Sequence, residues 1–227
     1  MNPDELLEIA LSLVEIGSKK GVTLRLLGSL AVRAHISGSG KLLDLLQRVP
    51  THDIDFMGYS KEQANANRMF IELGYEADPA VAFSLEYGIK RLIFYNRAES
   101  LMAEIFMDEL RMAHTLDFRG RLELDSPTIS LVDLLLSKLQ IHQITEKDIK
   151  DMIALLAEHD LGHGDREKID IHYLLKLISD DWGLFYTAKN NLLTVKAWAE
   201  EMSVLDQAIR QVVQSKVDEI VNLMDDQ

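Results

Sequence analysis

The chain has 227 residues, 47% hydrophobic and 27% charged, with no cysteine and a formal net charge of −13. This is ordinary globular composition, long enough for a core that needs no staples, and it excludes disulfides and thiolate metal sites. With 24 Lys plus Arg against 37 Asp plus Glu and no basic run of four, general nucleic-acid binding is disfavoured; a nucleotide ligand is not, because a divalent cation can bridge carboxylates and phosphates.

The N-terminus, Met1-Asn2-Pro3-Asp4-Glu5, is acidic where a secretory signal is basic. The apolar stretch Leu6 to Val14 is interrupted by Glu8 and Ser12 and is too short to span a bilayer. The expectation is a soluble cytoplasmic protein with no membrane partner, of bacterial or archaeal type. Helical periodicity runs over residues 4–19 and stops at Gly21. Val22 to Leu27 reads as a strand, Gly28-Ser29 as a turn, and Leu30 to Ile36 as a helix. A connection with a helical turn at Lys41 to Leu46 leads to a strand over Thr51 to Tyr59. Ser60 is placed to cap a helix over Lys61 to Leu73, which Gly74 terminates. Three extended segments follow, at Val81 to Tyr87, Lys90 to Tyr95 and Leu101 to Met107. Past Asp125-Ser126-Pro127 the pattern turns helical: Ser130 to Ile144, Lys147 to His159, Ile169 to Ser179, and roughly Leu192 to Met224. The reading is an α/β (α+β) domain with a mixed twisted sheet and flanking helices over 1–125, followed by a helical region over 126–227.

Asp53 and Asp55 lie two apart on the predicted strand and so share a face. Side by side they repel, unless they reach solvent or a cation neutralises them; carboxylate oxygens suit Mg²⁺. Taken alone, the pair reads as a solvent-exposed strand edge with two harmless acids. Gly28-Ser29, between strand and helix, offers backbone N–H groups at the positive end of a helix dipole, where an anion is favoured. Taken alone, it reads as an ordinary tight turn with a Ser N-cap. His159 and His163 are four apart, as helical zinc ligands can be, but Gly162 and Gly164 break the helix, and they read as surface histidines. Trp182, Phe185 and Tyr186 read by default as packing between helices, with a pocket or partner surface as the other reading.

In combination, the run LRLLGSLAVRAH followed after a loop by RVPTHDIDF resembles the signature of the DNA polymerase beta-like nucleotidyltransferases, and in particular small bacterial members related to toxin–antitoxin and antibiotic-modifying enzymes. Gly28 and Ser29 match that family's first motif, and Asp53 and Asp55 its acidic pair. The resemblance covers roughly residues 22–160 and implies the nucleotidyltransferase fold. In Met102-Ala103-Glu104-Ile105-Phe106 it places Glu104 as a third carboxylate, one methylene longer than the family's Asp, with Asp108 as the rival. In LLSKLQIHQITEKDIKD it makes Lys138 a phosphate contact and Asp148 a helix-orienting acid; a solvated helix face is the other reading of Lys138. The implied cofactor is Mg²⁺ or Mn²⁺, bound by Asp53, Asp55 and Glu104, with a nucleoside triphosphate as substrate. The implied activity is transfer of a nucleoside monophosphate to an acceptor that the sequence does not name; ATP, GTP, CTP and UTP are not distinguished, and the oligomeric state is left open. The alternative is a non-catalytic nucleotide- or partner-binding protein of the same fold, such as a toxin–antitoxin element. A metal-dependent hydrolase would require a histidine-rich ligand set that this chain lacks.

Overall fold

The structure, a computed structural model, describes residues 2–48, 53–79, 91–164 and 167–226. The chain divides into two compact units. One comprises Met1–Ala31, Pro50–Arg111 and Thr115–Ile129; the other comprises Val32–Val49, Met112–His114 and Ser130–Gln227.

The first unit is built on a five-stranded mixed sheet. Its strands are β1 (Leu24–Leu27), β2 (Asp53–Gly58), β3 (Glu76–Ala77), β4 (Arg91–Asn96) and β5 (Leu101–Met107), in the order β1-β2-β5-β4-β3. Only β2 and β5 run parallel; the other neighbours are antiparallel. Alternation along the strands separates two faces. Leu24, Leu26, Ile54, Phe56, Leu92, Phe94, Ala103 and Ile105 are buried on one of them. Helix α1 (Pro3–Lys19) packs beside β1 and buries Leu6, Ala10, Leu13 and Val14. A Cβ on Gly17 would stand 2.9 Å from the Val22 carbonyl, so the helix and the turn after it approach to a distance only glycine allows. Asn2 and Glu5 form a capping box at the start of α1, and Pro3 opens the first turn. Helix α4 (Gln63–Glu72) stacks Phe70 on Phe94, ring centroids 4.4 Å apart. The outer edge of β1 is closed by the segment around Thr128: Leu26 donates to the Pro127 carbonyl and accepts from Ile129 N. A short hairpin, β6 (Glu109–Arg111) and β7 (Thr115–Asp117), follows β5.

The predicted cap of α4 is corrected. Ser60 opens a 3-10 turn (Ser60–Glu62) ahead of α4, whose N-cap position is Glu62 with no side-chain cap bond, and Ser60 is held by a distant residue: Asp108 accepts from Ser60 N at 3.0 Å and from the Ser60 hydroxyl. The strand expected at Val81 to Tyr87 lies outside the described residues.

In the second unit, helix α2 (Gly28–His35), which starts in the first unit, leads to α3 (Ser37–Leu45). The remaining helices are α5 (Leu131–Leu139), α6 (Glu146–Glu158), α7 (Ile171–Ser179), α8 (Trp182–Glu201) and α9 (Gln207–Asp225), with a short parallel pair, β8 (Asp160–Gly162) and β9 (Lys168–Asp170). All nine residues of α5 are buried, which makes it the centre of the unit. Asn191 donates to the carbonyls of Leu139 and Ile141 and so satisfies the end of that buried helix. The long helix expected from Leu192 is two helices. Asp181 caps α8 ten residues earlier than expected, and Asp206 caps α9 after a break at 202–206. Among the described residues, no helix is long and apolar enough to cross a membrane.

Candidate functional site

The second face of the sheet gathers the carboxylates that the sequence singles out. Leu27 pairs with Asp55 across β1 and β2, and Asp55 pairs with Glu104 across the parallel β2 and β5. Asp53 pairs with Met102, two residues along. Paired residues point to the same side, so Asp53, Asp55 and Glu104 share one face. Asp53 is exposed, Asp55 half-buried and Glu104 buried, so the acids step from solvent into the fold. Met102, Phe106, Ile93 and Tyr95 complete the face and are half-buried.

Gly28 stands directly after Leu27. Its φ of +67° is in the left-handed region, and a Cβ there would lie 2.8 Å from Asp55 Oδ2. Glycine is therefore required twice, for the turn and for the carboxylate beside it. Ser29 is half-buried in the first turn of α2, which holds no acid. The Gly28–Ser29 turn and the acidic pair, neighbours only through the β1–β2 register, thus meet at one end of the sheet.

Glu104 has a partner that the sequence reading did not place. Arg91, at the start of β4, grips it through Nε and through Nη2, the latter 2.7 Å from Oε2. The guanidinium also lies over Phe106, 5.6 Å from the ring centroid. Burial pushes the Glu104 carboxyl up; Arg91 opposes this, Asp55 and Asp53 add to it, and the outcome is about 7. The rival acid, Asp108, lies past the end of β5 with φ +63° and holds Ser60, so Glu104 is the acid in register with Asp55. Beside Asp53, a cavity of about 460 Å³ is lined by Tyr95, Asn96, Arg97, Ser100 and Met102.

The donor set on this face is all carboxylate, which fits a hard divalent cation in kind. Its arrangement is incomplete: among the described residues no three His, Asp or Glu side chains stand together as a metal-holding group, and Glu104 is turned to Arg91.

Lys138 belongs to the helical unit. It is buried, and its ammonium lies 2.9 Å from both Asp148 Oδ1 and Asp151 Oδ2. Asp151 in turn accepts two bonds from Arg48, at 2.7 and 3.0 Å. Asp148 also completes a capping box with Thr145 at the start of α6. The histidine reading is corrected in part. His159 is 8% exposed and packs its ring edge-on to His35, and burial pulls its pKa down; His163 pairs with His172 instead. The aromatic reading is corrected too: Trp182 and Tyr186 stack on each other in the open, 80% and 60% exposed.

No protein-family model, curated protein or solved structure matches this chain.

Proposed function

We propose that the chain is a divalent-metal-dependent nucleotidyltransferase, its sheet the nucleotidyltransferase fold, moving a nucleoside monophosphate from a nucleoside triphosphate to a hydroxyl acceptor in the cytoplasm. The observation that carries the reading is the register that sets Asp55 against Glu104 on one side and against the Gly28 turn on the other. Asp53 and Asp55 would hold the metal, with Glu104 joining them on release from Arg91. When bound, the ion supplies charge neutralisation for the triphosphate and lowers the cost of deprotonating the acceptor. The N–H groups of the Gly28–Ser29 turn and the Ser29 hydroxyl bind phosphate oxygens at the positive end of α2. The acceptor oxygen forms its bond to the α-phosphorus as the bond to the bridging oxygen breaks, and pyrophosphate leaves. Glu104 would either take the acceptor proton as general base or, as the third ligand, help lower the pKa of the acceptor hydroxyl.

The Arg91–Glu104 pair also supports a second reading, in which the same fold binds a nucleotide or a protein partner without turnover, as in a toxin–antitoxin element. The test is pyrophosphate release from each of the four nucleoside triphosphates with Mg²⁺ and a cell extract as acceptor source. Release by the wild type that Asp53→Asn with Asp55→Asn abolishes supports the transferase. Tight nucleotide binding with no release above that of Glu104→Gln sinks it in favour of the binding protein.

A further inference from the structure

The Arg91–Glu104 pair is lopsided. The carboxylate side chain is 7% exposed, while that of Arg91 is 43% exposed. The guanidinium therefore stands between a buried acid and solvent, on the same face of the sheet as Asp53 and Asp55 and over the Phe106 ring. A guanidinium and a divalent ion compete for the same carboxylate oxygens. An ion that takes Glu104 costs Arg91 its charge-assisted bonds to that carboxylate. A triphosphate reverses that cost, because the planar fork of arginine matches phosphate oxygens as well as it matches a carboxylate. Lysine would hold neither with two parallel bonds.

We propose, resting on the nucleotidyltransferase reading, that Arg91 is the polyphosphate-binding cation of this site and that its pair with Glu104 is a resting state exchanged on ligand entry. Glu104 passes from Arg91 to the metal, and Arg91 passes from Glu104 to phosphate oxygens. Metal alone binds poorly, since it must evict Arg91 with nothing in return. Metal and triphosphate together bind cooperatively, because each releases the group that the other needs.

The test measures Mn²⁺ binding to the full chain by the electron paramagnetic resonance signal of the free ion, with and without an α,β-methylene nucleoside triphosphate. In the wild type, the analogue should tighten Mn²⁺ by roughly tenfold or more, and Mn²⁺ should tighten the analogue equally. Arg91→Gln should tighten Mn²⁺ alone by about three- to tenfold, weaken the analogue by at least about tenfold, and shrink the cooperativity. Arg91→Lys, which keeps the charge and loses the fork, should fall between. Arg91→Gln with Glu104→Gln leaves no buried lone acid, so it guards against loss of the fold, and it should keep the nucleotide defect. A double variant that binds the analogue as the wild type does overturns the proposal. So does an Arg91→Gln protein with unchanged or weaker Mn²⁺ affinity and unchanged analogue affinity: Arg91 is then only the structural partner of Glu104, and the transferase reading stands. If the wild type binds neither Mn²⁺ nor the analogue, the transferase reading falls and this proposal with it.

Discussion

The two units each take charge out of water, with opposite results. In the helical unit, burial pulls the Lys138 ammonium down, but Asp151 and Asp148 outweigh it and the ammonium ends above its ordinary value. Burial likewise pushes Asp148 up, and Lys138 with Thr145 brings it below its ordinary range. Arg48 and Lys138 face Asp148 and Asp151 across bonds of 2.7 to 3.0 Å, two cations to two acids. On the sheet face, burial is not overcome. Arg91 pulls Glu104 down, while Asp55 and Asp53 push with the burial, and the acid ends high. In the helical unit the ions satisfy one another; on the sheet face the neighbouring acids oppose the ionisation of Glu104, and a group perturbed in that way is a candidate for a functional site.

The comparison breaks first in the helical unit. Asp151→Ala leaves Arg48 and Lys138 facing a lost acceptor in a fully buried position. The expected cost is about 3–5 kcal/mol, read from urea denaturation. A loss under about 1 kcal/mol, the range of exposed pairs, would mean that the network is not a closed scaffold. Gly28→Ala forces a left-handed residue to carry a Cβ 2.8 Å from Asp55 Oδ2. A loss of about 1–3 kcal/mol is expected, relieved in the Asp55→Ala background because the clash partner is then gone. An undiminished loss there would assign the whole cost to backbone conformation.

Metal sharpens the contrast. Millimolar Mg²⁺ or Mn²⁺ alone is expected to raise the wild-type melting temperature only slightly, and together with nucleoside triphosphate by a few degrees, roughly 1 kcal/mol for a ligand at several times its Kd. Asp53→Asn with Asp55→Asn should melt at the same temperature with or without the ion. An equal shift in both proteins would locate the ion elsewhere.

The smallest effect is a slope with pH in metal-free buffer. The Glu104 carboxyl is raised from 4.5 to about 7 on folding, so the folded state holds its proton more tightly. The stability this contributes is fully present below about pH 4.5 and is lost as pH rises through about 7. Glu104→Gln removes the titration, so the variant should gain on the wild type from pH 5 to pH 8. A gap between the two that stays flat with pH over that window would place Glu104 in an ordinary carboxylate environment.

Much of the sheet unit was legible because its signals are local. The apolar stripe of α1, the glycine between β1 and α2, the alternation around Asp53 and Asp55 and the bounds of β5 all arise from neighbours within a few residues. What escaped depends on register or on distant partners. Nothing near Arg91 in sequence points to Glu104; the two meet only once β4 and β5 pair with Ile93 opposite Glu104. Asp108 reads as an acid continuing the alternation of Glu104, yet the left-handed turn at that residue takes it out of the strand to cap a distant turn. His159 follows a helix end, where exposure is the natural expectation, but it is buried against His35 from α2. The break between α8 and α9 carries no proline or glycine; only Asp206, ahead of an apolar periodic run, announces it.

Both tryptophans of the chain, Trp182 and Trp198, sit on α8, and the sheet unit has none. Indole emission is thus a spectroscopic label for one unit, already in place. Trp182 is open to water before anything unfolds, so the red shift on denaturation will come mainly from the half-buried Trp198. A thermal melt followed by emission is blind to the sheet. Followed by far-ultraviolet circular dichroism it sees both units, and two coincident curves would mean that the units lose their structure in a single cooperative step.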